Sequence, residues 1–400
     1  MPHLMPPLAI RAFTATSALG RGLEAHSRAI AASAGGLVAN DFSTSPLPCW
    51  IGRVAGVEDE PLPREHAEWE CRNNRLAWLA LRQDGFIDAV RAARGRYGAS
   101  RVAVLLGTST ASIGATEEAY RRLDHGVVPR DLLRPAIHTP HSLAGFVTRV
   151  FDLEGPCITV ATACSSSAKV FANAERMIRL GLIDAAVVGG VDSLCDSVLF
   201  GFNSLELVSA EPCQPFDANR KGISIGEAAG FALLERAGEG EQAPLFIGYG
   251  EASDAHHMST PHPEGLGAEL ALRDALARAG IEAGDVDYIN LHGTASQKND
   301  EVEAALVARS FPATTRASST KGFTGHTLGA AGILEATLTL LAMRDGVVPA
   351  NLGATTPDPL CGPQMAWQVE HADVRIALSN SFGFGGNNAC LAFARQGVPA

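Results

Sequence analysis

Cys164 stands between an apolar run and three consecutive serines in "VATACSSSAK", residues 160–169. The preceding "GPCITVATA" reads as a short buried strand with a helix-breaking start, and from Ser165 to Arg179 apolar residues recur at helical spacing until Gly181. That pattern places the sulfur at a strand-to-helix elbow. There the free N–H groups and dipole of a helix start favour a thiolate and lower the thiol pKa below the usual ~8.5. A cysteine taken alone is more often a small buried apolar residue, so the reading turns on its partners.

His292, in "NLHGTAS", closes a strand, and strand C-terminal ends are where open α/β sheets bind ligands. His326, in "STKGFTGHTLGAAGILEA", lies in a Gly-rich loop that opens an Ala-rich helix. One thiol and two imidazoles in loops that follow strands form a Cys/His/His set suited to nucleophilic catalysis. Lys321 and Glu335 complete the polar set around His326. Exposed, they are an ion pair worth ~0–1 kcal/mol; buried, they fix the orientation and protonation of that histidine.

The loop "NSFGFGGNN", Asn380 to Asn388, follows the apolar strand "VRIALS". Glycines flanking Phe384 let the backbone approach a ligand and aim N–H groups at a developing oxyanion. The spacing matches neither a Walker loop nor GxGxxG. His256, His257 and His262 crowd into "SDAHHMSTPHPEG", but Pro261 and Pro263 break any helix and no acidic partner stands at ligand spacing, so this segment reads as a mobile loop.

The elements that must hold these residues alternate. Strand-like "RVAVLLG", "CITVA", "AAVVGG", "VDYINLH" and "VRIALSN" are separated by helical stretches, the mark of βαβ units and a mostly parallel sheet. The polar "ERAGEGEQAPL", Glu235 to Leu245, divides the chain into two halves that each run an apolar strand into a polar elbow and an Ala-rich helix. The charged "GVEDEPLPREHAEWECRNNRLAWLALRQ" caps the first half. Four hundred residues with 46% hydrophobic content, 41 glycines and 6% aromatics fit a tightly turned α/β enzyme. A net charge of −11 argues against nucleic acid or an anionic membrane as the main partner. Eight cysteines without CxxC pairs imply reduced thiols and a cytoplasmic protein, and no apolar run reaches transmembrane length.

The segments "ATACSSSA", "PFDANRKGISIGEAAGFALLER", "SDAHHM", "HGTAS" followed by Asp300, "STKGFTGHTLGAAGILEA" and "SNSFGFGGNN" occur in an order that resembles the β-ketoacyl-acyl carrier protein synthases of the thiolase superfamily, the elongating Cys-His-His type. The resemblance implies a duplicated α/β fold with a five-layered αβαβα core. Its N-terminal half, 1–240, carries the nucleophilic cysteine, and its C-terminal half, 241–400, carries both histidines and the Gly-rich gating loop. It implies decarboxylative Claisen condensation of an acyl-enzyme with malonyl-acyl carrier protein, extending a fatty-acid or polyene chain by two carbons. Cys164 would be the nucleophile, and His292 and His326 would stabilise the enolate, with Lys321 and Glu335 in support. The N–H groups of Cys164 and Phe384 would form the oxyanion hole, with Phe384 also the gating residue. Thr294 and Ser296 would bind the phosphopantetheine arm, Ile223 would stand where a pocket phenylalanine is usual, and Thr110 would also bind substrate. Asn290, Glu335, Ser379 and Asn380 match positions that hold a structural monovalent cation in some relatives; no other metal and no cofactor is implied. The implied partners are an acyl carrier protein, docking on Arg72 and Arg75 or Arg130 and Arg134, and a second subunit in a homodimer or a heterodimer with a related ketosynthase-like chain.

The departures from the usual pattern, "AFTATSALG" at the opening, "GTSTASIG" after Leu106 and "RKGI" with Ile223 in place of a phenylalanine, are similar to synthases of bacterial aryl-polyene clusters. A non-catalytic chain-length-factor-like subunit would have lost Cys164. A thiolase-type acyltransferase would carry a second cysteine where Phe384 stands, and a starter-type synthase an asparagine in place of His326.

Overall fold

The computed structural model describes residues 4–395. Ten strands form the main path of one sheet: β1 (Leu8–Ser17), β2 (Val102–Gly107), β3 (Cys157–Val160), β4 (Ala185–Asp192), β5 (Ala228–Arg236), β6 (Leu245–Ser253), β7 (Tyr288–Asn290), β8 (Arg316–Ser318), β9 (Ile376–Gly383) and β10 (Asn387–Ala394). Their spatial order is β8-β7-β9-β10-β6-β1-β5-β4-β2-β3. The first half therefore runs β1-β5-β4-β2-β3 and the second β6-β10-β9-β7-β8, the same order of chain positions. The pattern of directions repeats too: β4, β2 and β3 are parallel, as are β9, β7 and β8. The remaining neighbours within each half are antiparallel. Within the sheet the halves are joined by two β1–β6 pairs, Leu8 with Phe246 and Ala9 with Leu245. This is the duplicated α/β architecture of the thiolase-like fold.

Alternation along the strands builds the layers, because successive side chains leave opposite faces. Val102, Val104 and Leu106 of β2 pack with Leu76, Leu79, Val90 and Phe146 from the helices α1 (Arg72–Leu81), α2 (Phe86–Tyr97) and α3 (Ser142–Phe151). Ala103 and Leu105 face the other way, onto the central helices α4 (Ser166–Arg179) and α7 (Ala331–Asp345). In the second half Tyr288, Ala377 and Leu391 share that central layer. Ile289, Leu378 and Ala392 face outward, onto α5 (Leu266–Ala279) and α6 (Gln297–Ser310). The result is five layers, αβαβα. Helix α7 is buried at every position from Ala331 to Met343, as a helix enclosed between two sheet halves must be.

The five strands read from the sequence are present, with "VDYINLH" shortened to β7 and "AAVVGG" extended to Asp192. The charged stretch ahead of residue 82 ends in α1, which covers the outer face of the first half without joining its sheet. Among the described residues no helix is long and apolar enough to cross a membrane.

Candidate active site

β3 ends at Val160, and the chain reaches α4 through a turn in which Ala163 takes φ +53°. The serines explain themselves at this elbow. Ser165 Oγ donates to Thr162 O at 2.9 Å, Ser166 Oγ donates to Ala163 O at 2.6 Å, and Thr162 N–H donates to Ser166 Oγ at 2.9 Å. Ser167 Oγ accepts the N–H of Ile333 at 3.0 Å, tying α4 to α7. Cys164 at the apex is 5% exposed, with Sγ 2.9 Å from His326 Nε2.

The thiol does not follow the sequence expectation. Burial pushes it up to about 11, against the opposing pull of the Lys321 charge and the Phe384 backbone N–H. Desolvation of a thiolate outweighs what a helix start returns. Both imidazoles are held well below the usual histidine range by burial first and by the Lys321 charge second. The resting set is a neutral thiol beside neutral imidazoles.

His292 follows β7, and the carboxylate of Glu303 on α6 fixes its backbone, accepting the N–H of His292 at 2.9 Å and of Gly293 at 2.7 Å. The two histidine rings lie 5.3 Å apart at 86°, and one ligand atom from each of Cys164, His292 and His326 falls within 4.8 Å of the others. Lys321 and Glu335 are buried and paired, as one of the two sequence readings required. Their partner, however, is His292 and not His326: Lys321 Nζ donates to His292 O at 2.5 Å and lies 3.3 Å from its Nδ1. An ammonium has no lone pair to offer, so Nδ1 accepts and the ring proton sits on Nε2, facing the site. Burial pushes Glu335 and Glu303 each up to about 7.

The cavity in front of the cysteine is about 380 Å³. Thr294, Ser296, Ile223, Phe202 and Phe384 line it together with Cys164 and both histidines. Thr294 and Ser296 hydroxyls are 2.9 Å apart. A Cβ on Gly383 would stand 3.3 Å from Cys164 N and 2.9 Å from Thr162 O, so glycine lets this strand end run tight against the elbow. The Phe384 ring then packs on Phe202 at 5.6 Å between centroids. His257 reaches the cavity wall, and His256 and His262 meet edge to face with ring centroids 5.3 Å apart.

Thr110 is not part of this wall. Its hydroxyl is buried, donates to Asp192 Oδ1 at 2.8 Å and lies 3.4 Å from Ser193 N–H, so it is committed to the protein's own groups. Arg72 and Arg75 are not free landing charges either. Arg72 pairs with the fully buried Glu227 and with Glu58, and Arg75 with Glu70 and the Glu58 carbonyl. Arg134 donates to Glu70 O at 3.1 Å, whereas Arg130 is exposed. Asn290, Glu335, Ser379 and Asn380 are buried close to the Lys321 pair. Glu335 Oε2, Ser379 Oγ and Asn380 Oδ1 have no hydrogen-bond partner in the protein, a set of oxygens that fits a small cation. The sequence reading missed Glu303, whose only signal is its place one helical turn after Asp300 in "QKNDEVEAAL".

Residues 73–239 match the family model of the β-ketoacyl synthase N-terminal domain, and residues 245–355 that of the β-ketoacyl synthase C-terminal domain. The chain is 38% identical over 299 residues to the mitochondrial 3-oxoacyl-[acyl-carrier-protein] synthase of Arabidopsis thaliana, covering 70% of this chain and 63% of that one. It is 36% identical over 313 residues to 3-oxoacyl-[acyl-carrier-protein] synthase 2 of Rhizobium meliloti, covering 74% of this chain and 72% of the relative. Among solved structures, the ketosynthase ApeO in complex with its chain length factor ApeC from Xenorhabdus doucetiae superposes with a TM-score of 0.89 at 36% identity, over 98% of both chains. The chain belongs to the β-ketoacyl synthase family of condensing acyltransferases.

Proposed function

We propose that this chain extends a carrier-bound acyl group by two carbons, with Cys164 as nucleophile and His292 and His326 as the stabilisers of the enolate. The observation that carries the reading is the Cys164–His326 contact of 2.9 Å beside a second imidazole whose proton is set by Lys321. In the first half-reaction the S–H proton passes to His326 Nε2 as sulfur attacks the thioester carbonyl. The N–H groups of Cys164 and Phe384 receive the oxyanion, and the carrier thiol leaves with a proton. In the second, the carbonyl of malonyl-carrier protein accepts from the Nε2–H of His292 and from that of His326, whose neutral ring has moved its proton from Nδ1 to Nε2 once the thiol is acylated. The bond to its carboxylate breaks, carbon dioxide departs, and the enolate carbon attacks the acyl carbonyl on Cys164. The sulfur leaves as a thiolate and takes up one proton from solvent, which balances the negative charge of the malonyl carboxylate lost as carbon dioxide. Thr294 and Ser296 hold the phosphopantetheine arm, and Ile223 with Phe202 and Phe384 bounds the acyl chain. A monovalent cation on Glu335, Ser379 and Asn380 would keep Glu335 ionised beside Lys321; no other cofactor enters.

The intact triad disfavours a chain-length-factor role. The likeness to ApeO, solved with its chain length factor, supports a related ketosynthase-like partner for this chain; a polyene-type substrate rests on the resemblance carried by "AFTATSALG", "GTSTASIG" and Ile223. The open outer edge of β3, with Cys157 exposed, offers a place for sheet pairing between subunits. We read two halves, 1–240 and 241–400, from the repeated strand order. Arg130, exposed on the surface, is the remaining candidate for carrier-protein docking, since Arg134 is engaged by Glu70 O and Glu118. Free cysteines throughout support a reducing, cytoplasmic setting.

Incubation with malonyl-carrier protein and a panel of acyl-carrier proteins, alone and with a chain-length-factor-like partner, tests the reading by intact mass. A β-ketoacyl product two carbons longer than its primer is expected. Release of free acid, or no product from any primer in either format, contradicts it.

A further inference from the structure

We propose that Asp192 is a positioning residue for this chemistry: its buried carboxylate fastens the loop that carries His326 to the loop that follows β2, and so holds the imidazole against the Cys164 sulfur. The His326 ring has few fastenings of its own. Nε2 meets Sγ at 2.9 Å, and Nδ1 has no hydrogen-bond partner in the protein. Its place is therefore set by the backbone on either side.

Upstream, His326 N–H donates to Ser224 O at 2.7 Å, and its carbonyl accepts from Gly226 N–H at 2.9 Å. Downstream, Leu328 takes φ +54°, a conformation that a residue with a side chain adopts only when its surroundings enforce it. The enforcing contact follows at once: Gly329 N–H donates to Asp192 Oδ2 at 2.6 Å. A Cβ on Gly329 would stand 2.7 Å from Ser109 N and 2.8 Å from Asp192 Oδ2, so this approach is open to glycine alone.

Asp192 ends β4 with no exposed surface. Its Oδ1 accepts the Thr108 and Thr110 hydroxyls at 2.5 and 2.8 Å and the Thr110 N–H at 2.9 Å. Its Oδ2 accepts the Ser109 hydroxyl at 2.5 Å, and the Ser109 N–H lies 2.9 and 3.0 Å from the two oxygens. Every one of these partners is a neutral donor. An amide in place of the carboxylate would turn an NH₂ group toward N–H donors, so the site needs an acceptor on both sides. The donors come from the first half of the chain and from the segment just after His326, so one side chain spans the boundary that the reaction also spans.

The inference rests on His326 as the partner of the Cys164 thiol, and its test needs no substrate. Iodoacetamide alkylation of Cys164 is followed by mass from pH 7 to 9 in the full-length parent, His326→Ala, Asp192→Asn, Ser109→Ala and the Asp192→Asn/His326→Ala double variant, with thermal unfolding alongside. Ser109→Ala removes a hydroxyl that donates to Oδ2 and accepts from Gly329 N–H at 3.3 Å, without touching the carboxylate. Asp192→Asn is expected to change the rate at least threefold in the direction of His326→Ala, with little further change in the double variant, and Ser109→Ala to move it less in the same direction. Parental rates in a folded Asp192→Asn overturn the proposal, as they do in Ser109→Ala should the first variant not fold. No change in His326→Ala itself overturns the underlying thiol–imidazole pairing, and with it the anchor.

Discussion

A thiol pushed up to about 11, 2.9 Å from an imidazole held neutral, is not a standing thiolate. The proton has to leave as the carbon–sulfur bond forms, and His326 is the group in place to take it. Two outcomes follow for single side chains. Alkylation of Cys164 should rise about tenfold per pH unit from 7 to 9, since the thiolate fraction grows tenfold per unit below the thiol pKa; a plateau there contradicts a raised pKa. His326→Ala should slow both acyl loading and malonyl decarboxylation. His292→Ala should slow decarboxylation at least tenfold more than loading, because the Nδ1 of His292 meets Lys321 and its proposed role is to donate to the malonyl carbonyl. Separate assays of acyl-enzyme formation and carbon dioxide release distinguish the two.

The elements hold these groups at the ends of the central layer: Cys164 and His292 follow the strands β3 and β7, and His326 precedes the central helix α7. Leu340, 3% exposed on α7, packs in that central layer, and Leu340→Ala should cost about 2–5 kcal/mol. The same change at Leu205, 54% exposed, should cost under about 0.5 kcal/mol, with denaturant midpoints as the readout. Arg72→Ala belongs here too. It strips the partner from the buried Glu227, which also accepts the N–H groups of Val54 and Leu194, so stability should fall by about 3–5 kcal/mol. Turnover of carrier-protein and small pantetheine substrates should then fall alike, whereas Arg130→Glu should slow only the carrier-bound one.

Which elements were legible follows from how local their signals are. β2, β3, β4, β7 and β9 are apolar runs, the elbow at Cys164 and the loop of His292 follow strand ends, and His326 stands just ahead of the Ala-rich α7 in a Gly-rich loop, so type and place could be read together. The long antiparallel strands β1 and β5 carry Thr, Gly and charge among their apolar residues, and their pairing partners are far away in the chain. The Lys321–His292 contact, the Arg72–Glu227 pair and the Asp192 cluster join residues 29, 155 and up to 137 positions apart, and no local pattern marks them. The thiol pKa failed for a different reason: a helix start is visible in sequence, whereas full burial of the sulfur is set by β9 and α7.

The molecule as a whole is two copies of one strand order closed around α4 and α7, with the nucleophile from the first copy and both imidazoles from the second. Neither half holds the site alone, so acyl transfer requires both in register. The measurement that bears most directly on this is the mass of the Cys164 peptide after exposure to an accepted acyl-carrier protein, and again after malonyl-carrier protein is added. An acyl adduct on Cys164 that disappears as an equal amount of two-carbon-longer β-ketoacyl-carrier protein and carbon dioxide appears is the predicted result. An adduct on another residue, or elongation that persists in Cys164→Ala, would contradict the account.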